Sequence, residues 1–400
     1  MKTFLLTLLL LLCINKGYAD EEVQVESESN LKPRTPPPYN IGEKVNYFNY
    51  SFEVSALPKV GKDIERIFRQ IKHSTCLTFE KKNTLIKDTI GINFNISDSG
   101  NKVELSDNKN RPTNVSLEEK IYTNFTMLRF YIGIALDIIP EIRRPDRDID
   151  VNVNMSNVDD NFIQYYNITN SSYITYLNDT EFDFRSPMFL GPDFGSKNNK
   201  STYEVLLYKG DQYPSGRNRP FRHNFYKDIF YYYCNGTAKE NNCKYGGYPY
   251  PGNTCKCPEH FSGTYCTEFN NKSVIPTNYT IPAPLEANST KLYYSVNLTN
   301  TVFYLNITSR GGKNVSTTVE NITFSETSCS STGSFLEVLI RKDKAAAGMH
   351  LCRTSTNFTL PSLSSEVFFV MEVKKENVYL NISYMEAEEK NKEQQEKKNE

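Results

Sequence analysis

Residues 125–148 read Phe125-Thr126-Met127-Leu128-Arg129-Phe130-Tyr131-Ile132-Gly133-Ile134-Ala135-Leu136-Asp137-Ile138-Ile139-Pro140-Glu141-Ile142-Arg143-Arg144-Pro145-Asp146-Arg147-Asp148. From about Thr126 to Ile138 the pattern predicts a helix. Its only charges are Arg129 and Asp137 and it is apolar nearly all round, so it belongs inside a core. A charged string, Arg144 to Asp148, follows it.

On either side, Lys44 to Cys234 forms a mixed α/β stretch the size of one domain. Ile64, Ile67, Phe68 and Ile71 stand at i, i+3, i+4, i+7 and predict an earlier helix, with a strand expected over His73–Phe79. Asn235 to about Phe269 is Gly- and Cys-rich and poor in aliphatic residues, so disulfides must replace a core there. From Pro276 to about Met385 short alternating segments (Lys291–Val296, Val302–Ile307, Phe335–Ile340, Val367–Val373, Val378–Tyr384) predict an antiparallel sandwich. Residues 20–43, acidic and then Pro-rich, read as a leader or linker, and Glu386–Glu400 as a charged, solvated tail.

The chain opens with an apolar run from Phe4 to Ile14 and a small-residue site at Gly17-Tyr18-Ala19, the pattern of a signal peptide over residues 1–19. Secretion is the expectation. No later stretch approaches the ~20 apolar residues of a transmembrane helix. With 46 Lys and Arg against 47 Asp and Glu, there is no electrostatic case for nucleic acid or an anionic membrane surface as partner. Nineteen Asn-X-Ser/Thr sequons support the same compartment: Asn49, Asn95, Asn114, Asn124, Asn154, Asn167, Asn170, Asn178, Asn199, Asn235, Asn271, Asn278, Asn288, Asn297, Asn306, Asn314, Asn321, Asn357 and Asn381. Without Cys13 in the signal, eight cysteines remain: Cys76, Cys234, Cys243, Cys255, Cys257, Cys266, Cys329 and Cys352. All can pair, and counting alone leaves about 105 connectivities open.

Arg144 to Asp148 resembles the R-P-D-R-D that follows the zinc motif of astacins, and Phe182-Asp183-Phe184-Arg185-Ser186-Pro187-Met188-Phe189-Leu190 resembles their Met-turn region. Thr75-Cys76-Leu77-Thr78-Phe79 looks like the family's opening T-C-[IL]-x-F, and Cys234 sits where its protease domain closes. Beyond it, Cys243-Lys244-Tyr245-Gly246-Gly247 and Cys255 to Cys266 resemble an EGF-like module. Cys329, Phe335-Leu336-Glu337-Val338 and Cys352 resemble the second half of a CUB domain. The resemblance therefore implies an α+β, metzincin-like two-subdomain protease fold over 44–234, an EGF-like module over 235–269 and an all-β CUB-like sandwich over 276–385. It also implies the pairing Cys76–Cys234, Cys243–Cys255, Cys257–Cys266 and Cys329–Cys352, each family bridge being kept or lost whole.

Astacins place H-E-x-x-H-x-x-G-x-x-H-E directly before that charged string: two histidines on one helix face, a third after a turning glycine, and a glutamate as general base. Counted back without a gap, the resemblance puts Phe130, Ile134 and Pro140 at the three ligand positions, Tyr131 at the glutamate and Asp137 at the glycine, while Gly133 and Glu141 keep the family's residues. The assisting tyrosine falls on Leu190. Glu141, which in active members receives the mature N-terminal amine, is expected to pair with Arg143 or Arg147. The CUB calcium aspartate falls on Ser334. The four histidines, His73, His223, His260 and His350, are too scattered to form another zinc site. No G-x-S-x-G elbow, P-loop or G-x-G-x-x-G occurs. The expectation is a secreted pseudoprotease with no catalytic residue, no cofactor and no bound zinc, acting on an extracellular protein partner. A matrix glycoprotein is the alternative, and residual metalloendopeptidase activity a remote third.

Overall fold

The computed structural model describes residues 35–39, 42–52, 58–212, 219–234, 241–250, 254–270, 278–325, 329 and 333–388, which lie within one compact unit. The predicted signal peptide, most of the leader and of the tail, and Asn235 and Asn271 lie outside them.

Strand β1 (Tyr47–Phe52) is followed by helix α1 (Pro58–Ser74), whose Ile64, Ile67, Phe68 and Ile71 are all buried. The next strand, β2, runs over Thr78–Lys82. It begins later than the sequence pattern suggests because His73 and Ser74 complete the last turn of α1 and Thr75 Oγ1 caps it, donating to Ile71 O at 2.9 Å. Strands β3 (Gly91–Ile96), β4 (Lys102–Glu104) and β5 (Thr113–Leu117) complete a sheet of order β2-β1-β3-β5-β4, parallel except for the edge strand β4. A short helix α2 (Glu119–Tyr122) leads into α3 (Phe125–Ala135), the helix expected over 126–138. Its last turn gives way to a capping bend at Asp137. Strands β6 (Val151–Val153) and β7 (Tyr203–Val205) pair across a long, turn-rich segment. Helix α4 (His223–Tyr233) packs into the same core as α1 and α3.

The disulfide-rich segment folds as two small hairpins, β8 (Tyr248–Tyr250) with β9 (Thr254–Lys256) and β10 (Phe261–Ser262) with β11 (Glu268–Phe269). The remainder is all β: β12 (Asn278–Thr280), β13 (Leu285–Ala287), β14 (Leu292–Ser309), β15 (Val315–Thr323), β16 (Phe335–Leu339), β17 (Met349–Leu351), β18 (Ser355–Leu360) and β19 (Glu366–Glu386). Segments that read as separate strands are continuous here. Two of them merge into β14 and two more into β19, paired along their whole length with a shift at Thr299/Thr301 opposite Lys375, whose φ is 55°. That kink divides the ribbon. Its Tyr379–Glu386 half pairs with β15, and its Phe368–Glu372 half with β16, so two layers enclose a core of Phe303, Leu305, Leu336, Val338, Val319 and Ile382. On the outer face, Tyr304, Phe368 and Val370 are covered by Phe261 and Cys266 of the disulfide-rich segment.

Four bridges form, Cys76–Cys234, Cys243–Cys255, Cys257–Cys266 and Cys329–Cys352, the pairs that the resemblance implies. Among the described residues no helix is long and apolar enough to cross a membrane.

Candidate functional site

Helix α3 carries the site. Asn124 caps its start, accepting from Met127 N at 3.3 Å. Its end is a Schellman arrangement: Ile138 N donates to Gly133 O at 2.9 Å and Asp137 N to Ile134 O at 2.8 Å, with Asp137 at φ 55°. The backbone at 137 therefore makes a left-handed bend, the conformation for which glycine is best suited. Tyr232 secures the aspartate that stands there, donating from its hydroxyl to Asp137 Oδ2 at 2.6 Å.

Phe130, 1% exposed, sits in an aromatic cluster with ring centroids at 5.3 Å from Tyr131, 5.4 Å from Phe194 and 5.7 Å from Tyr165. Phe162 closes the cluster, edge-on to Phe194 at 5.2 Å. Below the helix, Met188 approaches so closely that a Cβ on Gly133 would lie 2.3 Å from its sulfur, so any larger residue at 133 would have to displace the end of that side chain. Phe130, Pro140, Met188 and Leu190 wall one cavity together with Tyr165 and Phe194, and only about 10 Å³ of it remains. That is scarcely room for one water. Ile134, half-buried one turn beyond Phe130, is not in its wall. Tyr131 is buried, and burial above all, with Tyr165 and Glu118 adding, pushes its phenol far above the usual range. It cannot serve as a base near neutral pH.

Phenylalanine, isoleucine and proline side chains offer zinc no donor, and Leu190 has no hydroxyl. Among the described residues no three of His, Cys, Asp or Glu converge as a metal site. The residues that the resemblance aligns with the ligands do not fit zinc.

Glu141 is buried next to Arg144, at 4.0 Å, and accepts from Asp183 N at 3.3 Å. The expected partners are otherwise engaged: Arg143 donates to Asn167 O at 3.1 Å, and Arg147 to the carbonyls of Ile142 and Tyr166. Burial raises the Glu141 pKa well above the usual carboxylate range against the pull of Arg144, with Asp183 and Asp228 adding to the rise. Ser334 is also committed, its Oγ accepting from Lys374 N at 2.8 Å.

The Met188 segment is gripped from behind by the β-sandwich, through residues to which the sequence motifs assigned no role. Arg185 donates to Glu337 Oε1 on β16 at 2.9 Å and to Gly348 O at 2.8 Å, and Gly348 N donates to the same carboxylate oxygen at 2.9 Å. His260, from the disulfide-rich segment, meets Glu337 Oε2 at 3.0 Å. Arg341 pairs with Asp150, which is 0% exposed, and with Glu181 at 3.4 Å, beneath the rings of Phe184 and Tyr208. Asp343 accepts from Asn224 at 2.7 Å. Three otherwise separate segments thus share one buried polar junction.

Burial alone would lower the His260 pKa, but the hydrogen bond to Glu337 and that carboxylate's charge outweigh it and raise the pKa above the usual value. Burial would likewise raise Glu337, yet Arg185 and His260 hold it well below the carboxylate range. A histidine whose folded pKa is raised contributes stability that is complete below its unfolded pKa and fades as pH rises through the folded one. The depressed carboxylate's contribution is complete above its own unfolded pKa. Replacing His260 with glutamine should therefore lower the melting temperature most near pH 5.5 and progressively less towards pH 9. A deficit that does not shrink as pH rises would show that His260 is not held in its charged form.

Of the sequons, Asn154, Asn167, Asn170, Asn178, Asn199, Asn297, Asn314 and Asn357 are exposed. Asn49, Asn95, Asn114, Asn124, Asn288, Asn306, Asn321 and Asn381 are half-buried. Asn306 donates one of its two amide hydrogens to Glu366 Oε1 at 2.8 Å.

Residues 43–212 match the model of the astacin peptidase family. That stretch is an astacin-family domain. Over 264 residues the chain is 24% identical to the zinc metalloproteinase nas-31 of Caenorhabditis elegans, covering 62% of this chain and 41% of that one. The alignment thus spans about two-fifths of that relative. Among solved structures, the chain is similar to high choriolytic enzyme 1, a hatching-enzyme zinc protease of the medaka Oryzias latipes, at 17% identity and TM-score 0.37 over 46% of this chain and 88% of that one. It is also similar to the CUB1-EGF-CUB2 region of human MASP-1/3, at 12% identity and TM-score 0.24 over 36% and 54% of the two chains. The astacin-family domain is followed by a disulfide-rich β region. Helix α4 lies beyond the matched residues, yet it packs into the astacin domain's core, and Cys234 just after it bonds Cys76.

Proposed function

We propose that this chain is a secreted, N-glycosylated pseudoprotease: an astacin-fold protein that does not cleave peptide bonds and acts by binding another extracellular protein. The observation that carries this reading is the aromatic cluster of Phe130, Tyr165 and Phe194, which fills the space beside Pro140, Met188 and Leu190. Burying Phe130 alone contributes about 1.5–3 kcal/mol, a fraction of the stability a structural metal would supply. An apolar plug with no donor, base or oxyanion partner leaves no group to activate water. Four disulfides and an astacin-family domain fit an oxidising, extracellular setting.

The test is elemental analysis of the purified secreted protein, with a broad peptide-library cleavage assay run in parallel with and without added zinc. Well under one equivalent of zinc and no cleavage above a buffer control are expected. Stoichiometric zinc removable by a chelator, or zinc-dependent cleavage, would overturn the reading.

A further inference from the structure

A second cavity, of about 310 Å³, opens where the start of α4, the loop after β9 and the turn after β16 meet. It is thirty-fold roomier than the plugged one and lies at the lower end of ordinary small-ligand sites, about 300–1,000 Å³. We propose that it binds a small carboxylate ligand, held between the Arg222 guanidinium and the Lys256 ammonium.

The charge in its wall is unbalanced in one direction. Glu337 is already satisfied by Arg185 at 2.9 Å and His260 at 3.0 Å. Glu259 is largely exposed and reaches Arg222 only at 3.7 Å. Arg222 offsets the buried Asp183 at 3.4 Å, whereas Lys256, lying over the Tyr250 ring at 4.4 Å, has no carboxylate partner among the described residues. Lys344, in the floor, spends its ammonium on Ser364 Oγ and on the carbonyls of Leu339, Arg341 and Glu366. Arg222, Lys256 and Lys344 set against Asp183 and Glu259 leave the wall with an excess of about one positive charge, which suits a monoanion better than a phosphate dianion. His223, in the same wall, feels that field: burial first, then Lys227, Arg222 and Lys256, press its pKa down to about 3. Phe221, Tyr226 and Ala345 supply an apolar lining for the body of the ligand. A carboxylate of this kind comes either from a free organic acid or from a peptide C-terminus.

Isothermal titration of the full-length secreted protein with three probes separates these cases: 3-phenylpropionate, N-acetyl-Ala-Phe with a free C-terminus, and N-acetyl-Ala-Phe amide. At least one acid should bind, with the amide about tenfold weaker or more. Binding of the dipeptide acid alone assigns the site to peptide ends, and binding of both acids assigns it to small acids generally. Lys256→Gln should weaken acid binding about tenfold with an unchanged melting temperature, and Lys256→Arg should retain it. Failure of both acids to bind at millimolar concentration, equal binding of acid and amide, or an unaffected Lys256→Gln variant would each overturn the proposal.

Discussion

Phe130→His, Tyr131→Glu, Ile134→His and Pro140→His, made together with Asp137→Gly, should raise zinc affinity at least about 1,000-fold over the unsubstituted protein, a gain of about 4 kcal/mol. The left-handed backbone at Asp137 is ready for glycine, because the Schellman turn there already makes the bend a third ligand needs. Removing Phe130 from its ring contacts should cost the metal-free variant about 3–5 kcal/mol, so the zinc-loaded form should melt well above the chelated one. Peptidase activity should stay low, since Leu190 offers no hydroxyl and Tyr165 and Phe194 still occupy the cavity. A variant that is folded by circular dichroism yet binds no zinc would show that positions 130, 134 and 140 are not the ligand positions.

Arg341→Met should cost about 3–5 kcal/mol, because it leaves Asp150 buried without its guanidinium partner. Adding Asp150→Leu should recover most of that loss, since an apolar pair of similar volume avoids burying either charge. Urea midpoints followed by tyrosine fluorescence and by circular dichroism give the comparison, and coincidence of the two probes checks that unfolding is cooperative. A loss below about 1 kcal/mol for Arg341→Met would mean that the junction with the sandwich contributes little to the stability of the astacin domain.

Both predictions draw on features of differing legibility. Helices α1 and α3 are visible in the sequence because burying one face or all faces of a helix requires apolar residues at fixed local spacing. The cysteines are legible as a count, and their pairing only through the family pattern. The positions that the resemblance aligns with the zinc ligands can be counted from Arg144, whereas the positive φ at Asp137 is visible only in the fold. The long β14 and β19 were not legible, because a kinked strand and two separate strands have the same alternation, and only the pairing across Thr299/Thr301 joins them.

By itself, then, the sequence determined the order of the segments, the buried character of α3 and the lack of metal donors at Phe130, Ile134 and Pro140, all of which depend on residue type and on spacing within a few turns of chain. Only the tertiary structure decided what fills the site and what holds the segments together. Phe194 and Tyr165 come to Phe130 from residues far along the chain, and Arg185, Glu337, His260, Arg341 and Asp150 meet from three segments. Such contacts leave no local period, because a buried ion pair or an aromatic cluster requires complementarity only at the point where distant elements touch.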